Sequence, residues 1–532
     1  MAQRSRSSAV TLAFLLLPLG TVAAQAGQRS HPDFLPSGHC SDCHSAAESA
    51  TALWGATGDD VSPYTLWRAT MMANAFRDPY WQAQVSKEIA AAPEHASQLG
   101  ALCITCHAPV PHHRAKLKGE VADSVHALLN DEMARDGVTC TVCHQTAPGN
   151  FGQESSFGGN LQLHPAGIIW GPFEEPAEGP MIAQSGFRPV YGPHLRNPGL
   201  CASCHTLKTQ HALPGSDFPE QTPYLEWRNS IYSAEGAKEA RTCQECHMPE
   251  LSPTRIARNP GGFDFNIATR EGARGHVFVG GNAFMLDLMR RNHKELGMQA
   301  PGALLRRAAR ATREQLANRT AKISIRDVVV ADGELRFGVR VTNETGHKLP
   351  SGYPARRAWV RVQVRAGNRA IFTSGNVDER GEIQRLAAPL GEPHRAVIDD
   401  DSQVAIYELI GHDTEGAPTT YLTRMATRGK DNRLLPKGWR PDGDFAADTA
   451  PTGVGDDQDF LPGEDTVQYR VKLGAGRPRL SIVAWFLYQP VPPAWVEALR
   501  GTDTEEAKRF VRMYDEADKT PETLALDIEI VE

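Results

Sequence analysis

Ten cysteines fall into five units of one form: Cys40-Ser-Asp-Cys43-His44, Cys103-Ile-Thr-Cys106-His107, Cys140-Thr-Val-Cys143-His144, Cys201-Ala-Ser-Cys204-His205 and Cys243-Gln-Glu-Cys246-His247. None is left over. Disulfides or tetrahedral zinc sites are the usual uses of paired C-x-x-C units in an exported chain. Neither explains a histidine after every pair. With 19 His in 532 residues, five such adjacencies arise by chance with a probability on the order of 10^-7. Covalent attachment of five haem c groups accounts for all fifteen residues: each thiol adds to a haem vinyl group, and the next residue lies under the iron as proximal ligand.

The elements that must hold these units divide the chain in two. From 27 to 319 the sequence is rich in Cys and His and mostly helical or irregular, with helical stretches expected at 64–92 (broken by Pro79), 121–135 and 301–317 and with Pro/Gly-rich connections such as 165–198. From 320 to 532 apolar and polar residues alternate, as in Leu335-Arg-Phe337-Gly-Val339-Arg-Val341 and Leu524-Ala-Leu526-Asp-Ile528, with Asp332-Gly333 and Gly367-Asn368 as turns. The expected fold class is α+β with two domains: a multihaem domain, then an antiparallel, sandwich-like sheet domain with one helix inserted near 493–517. Residues 1–26, with Arg4, Arg6, the Leu15-Leu16-Leu17 run and Ala24-Gln25-Ala26, read as a cleaved signal peptide, which places the mature protein in the periplasm or outside the cell. No later segment is apolar enough to span a membrane.

A net charge of -7 offers no basic surplus for a phosphate backbone, which excludes nucleic acid as a partner. Redox proteins are the expected partners, and a homo-oligomer or filament is open. Two acidic runs, Asp399-Asp400-Asp401 and Asp456-Asp457-Gln458-Asp459, lack the spacing of a calcium loop and read as solvated surface. Arg356-Arg357 suits haem propionates or an exposed face equally.

The first domain resembles the cytochrome c-554 family, related to the multihaem cores of hydroxylamine oxidoreductases. The resembling residues are Cys40 to His44 followed by a Trp67-containing helix, Gly137-Val-Thr-Cys140 to His144, and Leu200-Cys201 to His205. The likeness covers at most residues 35–250, and the fifth unit, Cys243 to His247, exceeds the four-haem pattern. The resemblance implies electron transfer through packed, largely bis-His haems, with some members leaving one iron open to small nitrogen oxides. It also implies a distal ligand five residues after Trp67, where this chain has Met72, and another at His164. His194, before the fourth unit, is similarly placed.

His276 and His347 complete the candidate sixth ligands. His347 comes from the strand domain, in the rigid run Thr345-Gly346-His347-Lys348-Leu349-Pro350-Ser351-Gly352, and would explain why a haem protein carries that domain. Met71 rivals Met72, and His112, His113, His126 and His293 rival the histidines. The leading reading is an electron-transfer protein with five haems and no catalytic residue. The alternatives are an oxidoreductase acting on nitrite, hydroxylamine or nitric oxide at one open haem, or a subunit of a haem filament. The second haem is the candidate open iron, with His112 or His113 as proton donor.

Overall fold

Prolines open the helices of the first half instead of breaking them. Pro63–Trp67 and Pro79–Ala91 both begin on proline, whose missing N–H costs nothing in a first turn. Asp78 caps the second by accepting the Tyr80 and Trp81 N–H groups at 2.9 and 3.3 Å. The stretch 64–92 is thus two helices joined by turns, and Pro79 starts the second. The computed structural model describes Met1 and residues 33–531, apart from 165, 211–216, 387 and 475–478. The signal-peptide reading of 1–26 therefore lies, but for Met1, outside the described residues.

The amphipathic helix expected at 121–135 is two short ones, Val125–Leu128 and Glu132–Arg135. Ser124 and Asp131 cap them by accepting Ala127 N–H (3.2 Å) and Ala134 N–H (2.8 Å). Upstream the chain is held extended against Gly100, where a Cβ would stand 1.8 Å from the Asp123 carbonyl oxygen. Tertiary packing there overrides a modest helical periodicity. The Pro-rich residues after the second cysteine unit are also ordered: Pro109–Leu117 is a helix that starts on Pro109. Two small sheets complete this half, the parallel pair β1 (Ile168–Gly171) and β2 (Arg188–Tyr191) and the hairpin β3 (Leu207–Gln210) and β4 (Asp217–Gln221). The last helix, Gly302–Arg319, buries Leu305, Ala309, Thr312 and Leu316 at helical spacing.

Strands begin at Ala321. β5 (Ala321–Ala331), β6 (Glu334–Asn343), β7 (Arg357–Ala366), β8 (Arg369–Ser374), β9 (Val397–Ile398), β10 (Ile406–His412), β11 (Pro418–Thr419), β12 (Thr427–Asp431), β13 (Glu464–Lys472), β14 (Leu480–Gln489) and β15 (Glu522–Val531) form two sheets. One has the order β11-β10-β7-β14-β15, with β12 on β10 and β8 on β7; the other has the order β5-β6-β13-β9. All pairings in them are antiparallel except β13 with β9. Their facing sides bury Phe337, Val339 and Val341 of β6 and Val467 and Tyr469 of β13 against Val360, Val362 and Val364 of β7 and Ile482, Ala484 and Phe486 of β14. Each such side chain contributes about 1.5–3 kcal/mol on burial. The chain is thus an α+β protein in which a helical and irregular region precedes a β-rich one.

Where one inserted helix is expected before β15, there are two, Pro493–Arg500 and Glu505–Asp515, because Thr504 caps a new start by accepting the Ala507 N–H at 3.3 Å. They pack on the helix Pro79–Ala91, with Tyr80 and Phe510 rings 5.0 Å apart. Glu88 of that helix accepts the Leu422 N–H (2.9 Å) and the Thr423 hydroxyl (2.6 Å), and Lys87 Nζ donates to the Thr420 carbonyl at 2.7 Å. Both halves thus share one apolar cluster and a set of buried polar ties.

Candidate haem centres

Every cysteine unit lies on or at the end of a helix: Ser37–His44, Ala96–His107, Cys140–His144, Gly199–Ala202 and Cys243–His247. The fourth helix stops before its histidine, but His205 N–H still donates to the Cys201 carbonyl at 2.9 Å, which carries the turn through. Helical geometry puts both sulfurs on one turn with the imidazole beside them.

Four of the five histidines are oriented alike. Nδ1 of His44, His107, His144 and His247 donates to the carbonyls of Ile256 (2.9 Å), Ala75 (3.0 Å), Trp170 (2.7 Å) and Val279 (2.5 Å). A carbonyl only accepts, so Nδ1 holds the proton and Nε2 keeps its lone pair, the tautomer a metal ligand requires. Burial pushes His107 and His205 down to about 4 and keeps them neutral.

Two of these rings have a partner across a gap. His144 and His276 are near-parallel (17°) with ring centres 6.4 Å apart, and His247 and His347 are near-parallel (12°) at 6.4 Å. One metal ion between two nitrogens, at about 2.0 Å from each, plus about 1.1 Å from nitrogen to ring centre, gives about 6.2 Å. His276 and His347 also donate Nδ1–H to carbonyls, of Arg274 (3.0 Å) and Lys348 (2.9 Å). Burial pushes His276 down to about 4 as well. Among the described residues no second imidazole stacks across His44, His107 or His205; the ring parallel to His107 is Trp81, at 4.4 Å and 8°.

The other candidates are placed differently. His164 is exposed and lies against Trp170 at 6.1 Å. His194 donates Nε2–H to the Thr146 carbonyl at 3.0 Å, so only Nδ1 has a free lone pair. Met72 stands five residues past Trp67 but not on its helix, which ends at Trp67 with turns beyond. The Met72 carbonyl accepts Val138 N–H at 3.0 Å, beside Gly137, whose φ of +61° and missing Cβ allow the approach. This contact ties the segment to the third cysteine unit. Met71 is partly buried and packs against the apolar cluster shared by the two halves. His113, a rival ligand and candidate proton donor, holds a buried Nε2 with no hydrogen-bond partner, edge-on to Phe34 at 5.7 Å. His112 Nδ1 lies 3.2 Å from the Thr105 hydroxyl, and His293 Nε2 is taken by the Ala300 carbonyl at 2.8 Å.

The cysteine units touch one another. The Cys40 side chain lies beside that of Cys140, Cys106 beside Cys204, and Cys201 beside Cys243. Burial pushes the Cys143 thiol up, and the nearby Cys204 adds to the rise. Units one and three, three and four, two and four, and four and five are thus neighbours, with the fourth at the centre.

The residues present also fit the rest of a haem. Arg77 is 5% exposed, yet its Nε and Nη2 have no partner. Burial and the neighbouring Arg135 push Arg77 down to about 10, only partly offset by the Asp136 carboxylate; a propionate would complete the guanidinium. Of the Arg356-Arg357 pair, Arg356 lies in the electrostatic field of His205 and His347 while donating to the Ser351 carbonyl at 2.7 Å. Arg357 is instead buried in the strand domain against Gln489 at 3.0 Å.

One group sits outside this array. The acidic run 456–459 is not all solvated surface: the Asp457 side chain is 4% exposed and accepts His394 Nε2–H at 2.8 Å. Asp465, fully buried, completes a cluster whose ligand-type atoms lie within 4.8 Å of one another. Tyr407 donates to one Asp465 oxygen at 2.7 Å and the other oxygen has no partner. Asn432, whose amide donates to the Ile406 carbonyl (2.8 Å) and accepts from Glu408 N–H (3.1 Å), presents an N–H to His394 Nδ1 at 3.0 Å. That wiring keeps the proton on Nε2, so His394 serves here as a donor to Asp457 and not as a metal ligand.

No family model and no curated protein matches the chain. Among solved structures, a penta-heme cytochrome c552 from Thermochromatium tepidum is similar to it, with a TM-score of 0.51 and 15% sequence identity over 94% of this chain and 100% of that one. The chain has a multihaem cytochrome c fold. At that identity the likeness concerns fold and not residue roles, and it supports the expected resemblance at the level of multihaem cytochromes as a class. Among the described residues no helix is long and apolar enough to cross a membrane.

Proposed function

We propose that this protein is an exported electron-transfer cytochrome with five covalently bound haem c groups, held by the five cysteine pairs and by His44, His107, His144, His205 and His247. The observation that carries the reading is the two near-parallel imidazole pairs with ring centres 6.4 Å apart: in each, a histidine of a cysteine unit and a second histidine both give Nδ1–H to a carbonyl and keep the Nε2 lone pair. His276 and His347 are then the sixth ligands of the third and fifth haems. Haem supplies one-electron chemistry; the chain supplies axial ligands, dryness and contact between neighbours. The contacts among cysteine units support a path from the first through the third and fourth to the fifth haem, with the second joining at the fourth. Met72, His113, His164 and His194 remain candidates for the other sixth positions, with the buried free Nε2 favouring His113.

A second reading rests on one observation. Of the three unit histidines with no second imidazole beside them among the described residues, His107 is the one whose ring stacks on a tryptophan, which makes the second haem the candidate place for a small nitrogen compound to meet an open iron. Both readings predict a holoprotein heavier than its polypeptide by five haems, about 3 kDa. Intact mass tests that. Electron paramagnetic resonance of the resting protein, with and without carbon monoxide after reduction, separates the two: all low-spin irons and no carbon monoxide uptake fit a conduit, and one high-spin iron at the second haem fits a reactive site.

A further inference from the structure

The segment that carries His347 is gripped from both halves of the molecule by one buried set of charges. Glu226 lies on the helix Pro223–Arg228, which follows the fourth cysteine unit, and is 0% exposed. Its Oε2 accepts the Lys348 N–H at 3.0 Å and the Ser351 hydroxyl at 2.6 Å. Its Oε1 accepts the Thr222 hydroxyl at 3.0 Å and pairs with Arg433 at 3.2 Å. From the strand side, Asp431 accepts Lys348 Nζ at 2.7 Å and Arg433 Nε and Nη2 at 2.8 and 2.9 Å. Two carboxylates and two cations, none more than 4% exposed, thus balance one another.

Buried ion groups of this kind return little net stability, because desolvation offsets much of the attraction. Their effect is better sought in what they fix. Here they fix the chain immediately after His347. Glu226 holds the Lys348 N–H, the Lys348 carbonyl orients His347 Nδ1–H, and Asn343 Nδ2 donates to the His347 carbonyl at 2.7 Å. Imidazole direction is therefore set by a carboxylate that belongs to the haem-bearing half.

We propose that Glu226 is the positioning residue for the sixth ligand of the fifth haem: it locks the strand-domain loop onto the haem domain so that His347 stands in line with His247, and its charge holds that iron's potential down. The proposal rests on the reading of His347 as that ligand. The geometry separates two effects. Glu226→Gln keeps an oxygen for the Lys348 N–H but removes the charge; Glu226→Ala removes both; Ser351→Ala removes one hydrogen bond and leaves the charge in place.

The test uses the full-length holoprotein and His347→Ala as reference, read by electron paramagnetic resonance, by redox titration resolved per haem, and by carbon monoxide binding after reduction. His347→Ala should turn one low-spin iron high-spin. Glu226→Ala should turn part of that same iron's signal high-spin and speed carbon monoxide binding there by about tenfold, since binding waits on the fraction with His347 released. Glu226→Gln should stay low-spin with that one potential raised, and the other four haems should be unmoved in every variant. If His347→Ala acts on one iron while Glu226→Ala, Glu226→Gln and Ser351→Ala change neither its spin state, its potential nor its carbon monoxide rate, the positioning role is overturned and the ligand reading stands. If His347→Ala changes nothing, the ligand reading falls and takes the proposal with it. Should Glu226→Ala fail to fold, the potential in Glu226→Gln and the carbon monoxide rate in Ser351→Ala decide: both unmoved overturns the role, and either moved at that haem alone supports it.

Discussion

The buried Asp465 carboxyl makes the strand domain's stability depend on pH in a direction unusual for an aspartate. Burial pushes it up to about 7, helped by the negative charges of Asp457 and Asp459 and opposed by the Tyr407 hydroxyl. An unfolded aspartate titrates near 3.8. Between these values the folded state holds a proton that the unfolded state has released, so stability is full below the unfolded value and is lost as pH rises through the folded one. Worked from those two values, the loss between pH 5 and pH 8 is about 3 kcal/mol. Because the side chain is fully buried, solvent screening takes little from this figure.

Asp465→Asn keeps the shape and cannot ionise. Its stability relative to the natural protein should therefore rise by about 3 kcal/mol between pH 5 and pH 8. Amide hydrogen exchange along β13, where Asp465 lies, reads the opening free energy of this sheet without requiring the whole molecule to unfold in one step. Intrinsic exchange rates change with pH equally in both proteins and cancel in the difference. His394, which burial shifts downward, costs stability as pH falls below its ordinary range and is common to both proteins. A difference that stays constant across the range would refute the argument. A natural protein that gains on the variant at high pH, and loses the gain in chelator, would mean that Asp465 is ionised around a bound cation.

Three further outcomes follow from the haem centres. His276→Ala should make one iron high-spin, open to one equivalent of carbon monoxide, and added imidazole should restore it; five unchanged irons by electron paramagnetic resonance would remove His276 from the coordination sphere. Met71→Ala should destabilise the shared cluster by about 2 kcal/mol or more in denaturant melts with every potential unchanged, whereas Met72→Ala should change one haem's potential or spin state if its sulfur is a ligand. Arg77→Met should lower one haem's potential and cost about 3 kcal/mol if a propionate completes the guanidinium; a more stable variant with unmoved potentials would show that the cation is unpaired.

What could be read from the sequence divides by the range of the physics involved. The C-x-x-C-H pattern is confined to five residues, so its units are legible one at a time. Period-two alternation marks β6 because each side of the strand meets a different medium, and Leu305, Ala309 and Leu316 reveal their helix in the same way; in β15 the alternation identifies the strand although Leu526, Ile528 and Ile530 are exposed. The helix expected at 121–135 fails for a reason that is half visible: Ser124 and Asp131 are cap residues inside the pattern, but the pull of Asp123 onto Gly100 joins segments that no periodicity connects. Thr504 is the same kind of signal inside the expected single helix at 493–517. Asp457 reads as surface because its partner, His394, is remote in the chain.

Sixth ligands are the extreme case. Nothing local distinguishes His276 and His347 from His164 and His194, since a solvent-exposed imidazole and an iron ligand obey the same sequence rules. Structure separates His276 and His347 from His164 by exposure and from His194 by which ring nitrogen is spent. His276 and His347 give Nδ1 to a carbonyl close by in the chain and keep Nε2 for a partner far away, while His194 gives Nε2 to Thr146. The carbonyl that fixes His347 is itself fixed through Glu226 from the other domain. On the proposed reading the strand domain carries a ligand whose placement depends on one buried carboxylate of the other half, so that neither half alone would set the coordination of a fifth haem.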